Sequence, residues 1–470
     1  MKPPFPRIAL IALLGTGTAT AAGPALAPAD LARIAAPYVQ HRDISGASLG
    51  ILQDASAVST HVGAVGTEPG LSADDTTVYE IGSITKVFTS LLLAEAVVRG
   101  EVTLDTPIAG LLPPDVVLPE GAGDTITLRM LATHTSGLPR IPVEIPPDNP
   151  ENPYASFDDT ALWSSLRRVR LDFEPGTRAS YSNLAAGLLG TLLARRAGVS
   201  YPELLAARIT GPLGMEHTTV GVTGSPRDHL AIGRNGSGQP WSPWEFQALA
   251  GAGGIRSTIG DMLRFARAML QPEGTPLREA IALTWERQAL KATVAPGGQG
   301  LGWMIAGDGQ TRWHNGMTGG FHAALFVNRK LGVASVVLVN RAAPAGSELA
   351  EHLLRAAAGL PERQPPNRDR AEIVVPVEQL ERCVGTFRLN ESFALVFEVR
   401  DGVLLLMPTG QGTDRLFAES PAVFFSRRVP ADLVFEFPSK GDPASAVVLR
   451  QGGREMRAPR EIPAGATPAQ

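Results

Sequence analysis

Residues 79–100 read Tyr79-Glu80-Ile81-Gly82-Ser83-Ile84-Thr85-Lys86, followed by Val87-Phe88-Thr89-Ser90-Leu91-Leu92-Leu93-Ala94-Glu95-Ala96-Val97-Val98-Arg99-Gly100. The second part predicts a helix, because it contains good helix formers and no proline, and Gly100 is a typical end signal. This helix is apolar nearly all round, which indicates burial. Ser83 lies at its start, where free N–H groups and the helix dipole create a partial positive charge. Lys86 follows three residues later and shares a face with Ser83.

Ser83 and Lys86 can be interpreted either as structural residues of the helix start or as a catalytic pair. A serine at a helix start is commonly an N-cap, and a lysine in the first turn is commonly solvated. Solvation fits Lys86 poorly, because the dipole disfavours a cation at this end and the rest of the helix reads as buried. Ser-x-x-Lys occurs by chance in any long chain, so the remaining motifs must decide between the two.

The composition excludes several classes of function. The chain has 470 residues, enough for about three average domains or for one large and one small domain. Charged residues make up 19% and the formal net charge is −4, which gives no reason to expect nucleic acid or an anionic membrane as partner. Cys383 is the single cysteine, so an intrachain disulfide is excluded, and a buried free thiol is expected.

Residues 1–22 predict a secretory signal peptide. Lys2 and Arg7 supply its positive start, a short apolar run follows, and Ala19-Thr20-Ala21 or Thr20-Ala21-Ala22 offers a cleavage site. No later stretch is apolar over the roughly 20 residues that a membrane helix needs. We therefore expect an exported protein, periplasmic or secreted, without a transmembrane segment in the mature chain.

Two polar motifs precede apolar elements later in the chain. Tyr181-Ser182-Asn183 enters an apolar helix, and His314-Asn315-Gly316 enters a glycine-rich segment that leads into a strand. Taken alone, Tyr181 reads as a half-buried tyrosine and Asn183 as an N-cap.

Three other patterns are interpreted as structural. His134 lies in a hydroxyl-rich loop, residues 133–139, where a bond to the backbone is favoured over a role as ligand or base. The stretch Gly46-Ala47-Ser48-Leu49-Gly50 matches the nucleophile-elbow pattern, but that motif needs a helix after its serine and a strand is predicted here. His314 and His322 have no acidic or cysteine partner in sequence, so no metal site is predicted.

Residues 361–370 are rich in proline and charged residues and predict a linker. The predicted secondary structure changes from mixed helices and strands to short strands after this segment. Beyond it, short strands recur at regular spacing, and Asp401-Gly402 is a strong hairpin signal. This pattern is typical of a small antiparallel barrel or sandwich. The residues from 463 to 470 read as a disordered tail.

Ser83-x-x-Lys86, Tyr181-x-Asn183 and His314-x-Gly316, in this order, resemble the motifs of the penicillin-recognising serine hydrolases. Within that family the likeness is to the group of class C β-lactamases and D-alanyl-D-alanine carboxypeptidases. It covers about residues 29–359 and includes 131–139, 211–215 and 318–321. Residues 132–139 are most similar to the carboxypeptidase/endopeptidase branch. The C-terminal part resembles the lipocalin-like domain of some D-aminopeptidases and related esterases.

The resemblance implies an α+β fold, an α/β sandwich. An antiparallel sheet of five or more strands, flanked by helices and beside a helical lobe, is expected, with a small C-terminal antiparallel β-barrel. The implied divisions are a signal peptide at 1–22, the hydrolase domain at 23–360, a linker at 361–370, the lipocalin-like domain at 371–462 and the tail.

The chemistry of the first motifs follows from the residue types. Serine is a weak nucleophile and needs a neighbouring base. Lys86 can act as that base if burial lowers its pKa from about 10.4. Tyr181, close to the lysine, could hold or relay the proton. We therefore expect Ser83, Lys86 and Tyr181 to be the catalytic residues.

The resemblance implies roles for four further residues. The backbone N–H groups of Ser83 and Met317 would bind the oxyanion, and Gly316 would let a substrate lie close to its strand. Asn183 would bind a substrate amide carbonyl. His314 would bind Tyr181 or a substrate carboxylate, and an unperturbed pKa near 6.5 would let it lose its charge around neutrality.

The resemblance implies hydrolysis through an acyl-enzyme on Ser83, without cofactor or metal. The leading substrate is a D-Ala-ended peptide or another D-amino acyl amide, with peptidoglycan as a possible partner and the oligomeric state open. β-Lactamases usually carry Lys-Thr-Gly where this chain has His314-Asn315-Gly316, a form found in D-stereospecific peptidases and esterases. A small-ester hydrolase, a weak β-lactamase and a non-catalytic penicillin- or peptidoglycan-binding sensor are the alternatives.

Overall fold

The structure is a computed structural model that describes residues 25–461 except 42, 55, 67–70, 120–121, 143–144, 146–148, 150, 222–228, 289, 362–369, 391–392, 401, 410–412, 428 and 452–453. The predicted signal peptide, most of the predicted linker, Asp401 of the predicted hairpin turn and the predicted tail lie outside these residues. The chain divides into two compact units, Met1–Glu362 and Arg363–Gln470. No helix within the described ranges has the length and apolar character to cross a membrane.

The first unit contains both helices and strands. Its helices are α1 (Pro28–Gln40), α2 (Thr85–Val98), α3 (Ala122–Thr125), α4 (Leu128–Ala132), α5 (Asp159–Leu166), α6 (Asn183–Ala197), α7 (Tyr201–Leu205), α8 (Ala250–Gly253), α9 (Ile259–Leu270), α10 (Arg278–Trp285) and α11 (Ala345–Ala357). Its strands are β1 (Gly46–Gln53), β2 (Ser56–Gly63), β3 (Tyr79–Glu80), β4 (Thr219–Val220), β5 (Ile255–Ser257), β6 (Met304–Ile305), β7 (Arg312–Met317), β8 (His322–Asn328) and β9 (Val333–Val339).

Six of these strands form one antiparallel sheet, in the order β2-β1-β9-β8-β7-β6. Alternate residues of a strand point to opposite faces, so the sheet separates two apolar cores. On β8 and β9, Leu325 and Val336 face the core that includes α2, α6 and α9. Ala324 and Val337 face the core that includes α1 and α11. Because helices cover both faces, these strands read as continuous apolar runs.

A helical layer lies beside this sheet. Helix α6 packs against α2, α4, α7 and α8. Its glycines permit the close approach, since a Cβ atom on Gly190 would lie only 3.0 Å from the Gly251 Cα atom of α8. The expected sheet, flanking helices and helical lobe are all confirmed.

The second unit is an eight-stranded antiparallel sheet that almost closes into a barrel. After a short helix, α12 (Val377–Glu381), the strands are β10 (Gly385–Asn390), β11 (Phe393–Arg400), β12 (Val403–Pro408), β13 (Asp414–Ala418), β14 (Val423–Ser426), β15 (Ala431–Glu436), β16 (Ala446–Gln451) and β17 (Arg454–Pro459), paired in chain order. The first and last strands meet where Phe387 bridges Arg460 and where the Glu461 N–H donates to the Thr386 carbonyl oxygen at 2.7 Å. Buried phenylalanines around Phe435 fill its core. The expected antiparallel barrel is confirmed.

Candidate active site

Ser83 lies on a short 3₁₀ turn, Gly82–Ile84, that leads directly into α2. The α2 N-cap is Ile84, which makes no side-chain capping bond, so the alternative of Ser83 as an N-cap is wrong. Gly82 has a φ of +50°, in the left-handed region that glycine adopts readily. The Ser83 hydroxyl is half-buried and is oriented by a side chain of the next turn.

That side chain is Lys86, which is buried, with its Nζ atom 2.9 Å from Ser83 Oγ. The same nitrogen donates to the Ala252 carbonyl oxygen at 2.7 Å. Burial, with a smaller contribution from the charge of Arg140, holds the pKa of Lys86 well below its ordinary value. A lysine in this state can lose its proton and then accept one from the neighbouring hydroxyl.

The strand that carries Gly316 lies directly against the Ser83 turn. A Cβ atom on Gly316 would lie 2.0 Å from the Ile81 carbonyl oxygen and 2.6 Å from the Ser83 nitrogen. A Cβ atom on Gly82 would likewise lie 2.8 Å from the Met317 nitrogen. The close contact of the two segments therefore depends on glycine on both sides, and it brings the Ser83 and Met317 nitrogens close together.

The register of β7 and β8 fixes the direction of the Met317 N–H. The Thr318 N–H donates to the Phe321 carbonyl oxygen at 3.0 Å, and Met317 lies opposite His322. Since hydrogen-bonded and non-hydrogen-bonded pairs alternate along an antiparallel ladder, the Met317–His322 pair is non-hydrogen-bonded. The Met317 N–H therefore points away from β8. Two N–H groups next to a nucleophile are the arrangement that binds an oxyanion.

Tyr181 lies in the extended segment before α6, with its hydroxyl within hydrogen-bonding reach of Ser83. Lys86 Nζ is 4.9 Å from the centroid of its ring. Burial raises the pKa of Tyr181, so the phenol keeps its proton at neutral pH. Ser83, Lys86 and Tyr181 are thus brought together as expected.

Asn183 is the first residue of α6, but it does not cap the helix. The Ala185 N–H donates to Ser182 Oγ at 2.9 Å, so Ser182 is the N-cap and that interpretation of Asn183 is wrong. Asn183 Nδ2 donates to the Tyr154 hydroxyl at 3.4 Å, and its buried Oδ1 has no hydrogen-bond partner among the described residues. Because a hydroxyl also donates, a half-turn of the amide would keep the bond to Tyr154 and present Nδ2 to a substrate carbonyl.

An aromatic cluster lines the Tyr154 side of Asn183. The ring centroids of Tyr154 and Phe246 are 5.0 Å apart and stacked, and those of Tyr154 and Trp244 are 5.5 Å apart, edge to face. Stacked and edge-on aromatic pairs give a rigid apolar wall. Tyr154 and Phe246 are themselves buried in the core, so this wall holds the Tyr154 hydroxyl in place beside Asn183.

His314 is buried on β7, and its Nδ1 atom lies 2.6 Å from the Asn315 carbonyl oxygen. Its ring centroid is 6.3 Å from that of Tyr181, and Nε2 has no hydrogen-bond partner in the described part of the chain. Burial, and then the charge of Lys86, lower the pKa of His314 to about 3. Burial of this ring therefore favours the neutral imidazole at pH 7, whereas the sequence alone suggested a loss of charge around neutrality.

His134 bonds to the backbone, as its loop position favoured. Its Nδ1 atom accepts from the Ser182 N–H at 3.2 Å, and its ring lies 4.4 Å from that of Tyr181, centroid to centroid. This bond fixes the segment that carries Tyr181. In the ranges that the structure describes, no group of three or more His, Cys, Asp or Glu side chains is arranged to hold a metal ion.

The segment before Ser83 is held by a buried ion pair. Glu80 and Arg256, both almost fully buried on β3 and β5, lie 3.1 Å apart. The Ile81 N–H continues this pairing by donating to the Ile255 carbonyl oxygen at 3.1 Å. Arg256 also pairs with Glu245 at 3.2 Å, whereas removal of Arg256 would leave the Glu80 carboxyl group buried without its cation, which is strongly destabilising.

Two contributors to the site were missed in the sequence. The Ala252 carbonyl lies in a run of small residues, 250–254, and such a run is a signal for close approach of backbone to a side chain. Arg140 directly follows the loop 133–139, and its guanidinium carbon lies 5.4 Å from the centroid of the Tyr181 ring. No local sequence pattern distinguishes a single exposed arginine as part of a functional site.

Ser48, in the Gly46–Gly50 pattern, belongs to a second group of hydrogen-bonded side chains, separate from that of Ser83. Ser48 Oγ lies 2.9 Å from His61 Nδ1, and His61 Nε2 lies 3.1 Å from Asp75 Oδ1, which is the order of a catalytic triad. However, Ser48 is fully buried within β1, and another strand rather than a helix follows. No substrate reaches a hydroxyl in this position, so the interpretation as a chance match holds.

Gly316→Ala tests the close contact between the turn and β7. The added methyl group would overlap backbone atoms of Ile81 and Ser83, which cannot yield without moving the nucleophile. A misplacement of about 1 Å costs roughly 100-fold in rate, and we expect a loss of at least that size in kcat/KM. Gly110→Ala is the matched control, since nothing lies within 4 Å of its Cβ position. Activity within threefold of the wild type in Gly316→Ala would contradict the tight contact.

Comparison with known proteins gives several matches. The chain is 36% identical over 198 residues to the D-alanyl-D-alanine-carboxypeptidase/endopeptidase AmpH of Escherichia coli (strain K12), covering 42% of this chain and 50% of that protein. It is 29% identical over 272 residues to a β-lactamase of Pseudomonas fluorescens, covering 57% of this chain and 72% of that protein. The chain thus spans half the length of the AmpH relative.

A solved structure and a family model agree with these relatives. The crystal structure of a β-lactamase/D-alanine carboxypeptidase from Yersinia pestis, complexed with citrate, superposes with a TM-score of 0.61 at 26% identity, covering 70% of this chain and 97% of that one. A family model described as Beta-lactamase matches residues 31–360, well over half of the chain. The resemblance drawn from the three motifs is confirmed: the protein belongs to the β-lactamase family.

Proposed function

We propose that this protein hydrolyses its substrate through an acyl-enzyme on Ser83, with Lys86 as the base. The observation that carries the proposal is the 2.9 Å contact between Lys86 Nζ and Ser83 Oγ, made by a buried lysine with a lowered pKa. The lone pair of neutral Lys86 accepts the Ser83 proton while Oγ attacks the substrate carbonyl carbon. The N–H groups of Ser83 and Met317 bind the oxyanion that forms.

Tyr181 is the proposed proton donor to the leaving group. Its pKa is raised and that of Lys86 is lowered, and groups whose surroundings separate their pKa values divide the acid and base roles between them. When the intermediate collapses, the bond to the leaving amine breaks and the amine takes the Tyr181 proton. The Lys86 ammonium then reprotonates the phenolate. Water, activated by the same base, attacks the acyl-enzyme and restores the Ser83 hydroxyl.

For the substrate we propose a peptide that ends in D-Ala, or another D-amino acyl amide, with peptidoglycan as its source. The relative named as a carboxypeptidase/endopeptidase supports this choice. A neutral His314 in place of the usual lysine supplies no permanent cation on β7, which argues against efficient β-lactam hydrolysis. The leader-like residues 1–22 support export to the periplasm or the medium.

Mass spectrometry of the intact protein tests the proposal. The protein is mixed separately with benzylpenicillin, p-nitrophenyl acetate and a D-Ala-D-Ala peptide, and the adduct is located by peptide mapping. We expect a gain of one acyl group on the peptide that contains Ser83, followed by its loss as product accumulates. An adduct that persists after one turnover would favour the non-catalytic sensor. The proposal fails if none of the three reagents modifies Ser83.

A further inference from the structure

The guanidinium group of Arg140 lies beside the ring of Tyr181. Its guanidinium carbon lies 5.4 Å from the Tyr181 ring centroid, and its positive charge adds to burial in lowering the pKa of the neighbouring Lys86. Its side chain is exposed, and within the described residues no carboxylate forms an ion pair with it. An arginine beside this ring that no described carboxylate neutralises is available to an anion from solution.

The backbone of Arg140 is fixed although its side chain is exposed. The Asn183 N–H donates to the Arg140 carbonyl oxygen at 2.8 Å, and Ser182 Oγ donates to the Pro139 carbonyl oxygen at 2.7 Å. These two bonds tie the loop to the segment that carries Tyr181 and Asn183. The guanidinium group is therefore attached to a rigid position beside the proposed proton donor.

The other cations near Tyr181 are unsuited to bind an anion. Lys86 must be neutral to act as base, and His314 is uncharged at pH 7. A substrate carboxylate that enters this site without a fixed cation would lose its hydration without compensation.

The chemistry of the substrate places its carboxylate near Arg140. In a peptide that ends in D-Ala, the leaving amine and the terminal carboxylate are attached to the same carbon atom. Protonation of that amine by Tyr181 therefore brings the carboxylate close to the Tyr181 hydroxyl. A guanidinium group beside this ring can bind a carboxylate through two parallel hydrogen bonds.

We propose that Arg140 determines specificity by binding the terminal carboxylate of the leaving group, an inference that rests on the proposed function. The loop after residue 139, rather than β7, then supplies the positive charge of the carboxylate subsite. Preference for free carboxylates over blocked ones is a property of this one side chain. A purely structural role of Arg140, ordering Tyr181 by its ring contact, would instead affect charged and neutral ligands alike.

Binding to a protein that cannot turn over separates these roles. In a Ser83→Ala background, calorimetry compares N-acetyl-D-Ala-D-Ala with the same peptide carrying a C-terminal amide. Charge-assisted bonds predict a Kd about 10- to 100-fold lower for the carboxylate peptide. Adding Arg140→Gln should bring the two Kd values within about threefold, by weakening the carboxylate peptide alone, whereas Arg140→Lys should keep part of the difference.

Arg195→Gln is the matched control for loss of one exposed positive charge. Arg195 lies on α6, twelve residues beyond Asn183 and hence about 18 Å along the helix, and should leave the ratio of Kd values unchanged. The inference is overturned if Arg140→Gln leaves the ratio of the two Kd values unchanged, including the case in which it weakens both peptides equally. It is also overturned if neither peptide binds. Acylation of Ser83 by p-nitrophenyl acetate, a neutral ester, tests the proposed function separately, so failure of one is distinguishable from failure of the other.

Discussion

Ser83→Ala is expected to lower kcat by at least about 10⁴-fold for every substrate that the protein hydrolyses. The Ser83 hydroxyl is the one that lies against Lys86 Nζ, at 2.9 Å, and next to the paired N–H groups of the turn and β7. Alanine removes the atom that forms the acyl bond and leaves the turn unchanged, so Tm should stay within a few degrees. Steady-state kinetics and thermal unfolding of the purified variant measure both quantities.

A buried serine on the same helix provides the control. Ser90 lies about two turns further along α2, and Ser90→Ala should keep most of the activity. If Ser83→Ala retained more than about a tenth of the wild-type rate, another group would be the nucleophile.

Lys86→Met is expected to lower kcat/KM by about 10³-fold, the middle of the range for loss of a general base. In the wild type, kcat/KM should rise with pH as Lys86 loses its proton and level off well below pH 10.5, because burial lowers its pKa. The variant should lack this rise. Rate measurements across the pH range check the result; a rise of the same size in both proteins would assign the base to another residue.

The same substitution should not destabilise the fold. The folded-state pKa of Lys86 is lowered, so between that value and about 10.4 the unfolded chain binds one more proton than the folded chain. Stability therefore increases with pH across this window, and at neutral pH the lysine costs stability. Lys86→Met should show an equal or higher Tm at pH 7 and a smaller increase of Tm with pH. A marked fall in Tm would mean that the activity loss reflects misfolding.

Local patterns predicted the parts of the site that are close in sequence. The spacing of Ser83 and Lys86 on an apolar helix requires them to share a face, and the structure shows their contact. Their proximity to Tyr181 and Gly316 depends on how distant segments pack, and only the resemblance to a family supplied it. The lowered pKa of His314 could not be predicted for the same reason, since burial and the neighbouring ammonium are properties of the assembled site.

Strand prediction in the second unit shows a similar limit. The regular spacing of short strands predicts extended segments at 386–389, 394–399, 403–407, 423–426, 433–437 and 447–450, so β13 and β17 were missed. β17 consists largely of exposed and charged residues and ends in Pro459, a composition typical of an edge strand. Its position is fixed by pairing with β16 along its whole length. The neighbouring strand, rather than its own composition, makes this segment extended.

The position of β1 in the sheet has a consequence for how the chain folds. β1 lies between β2 and β9, and the Gly46 N–H donates to Asn340 Oδ1 across 294 positions of sequence. Contacts of such separation form slowly, because a long loop must close before they contribute. A chain still emerging from a ribosome, or passing through a translocation pore, has β1 without β9 and cannot complete the sheet. Ser83 thus meets Met317 only after nearly the whole first unit has been delivered, so the proposed active site is assembled only at the end of the synthesis of this unit.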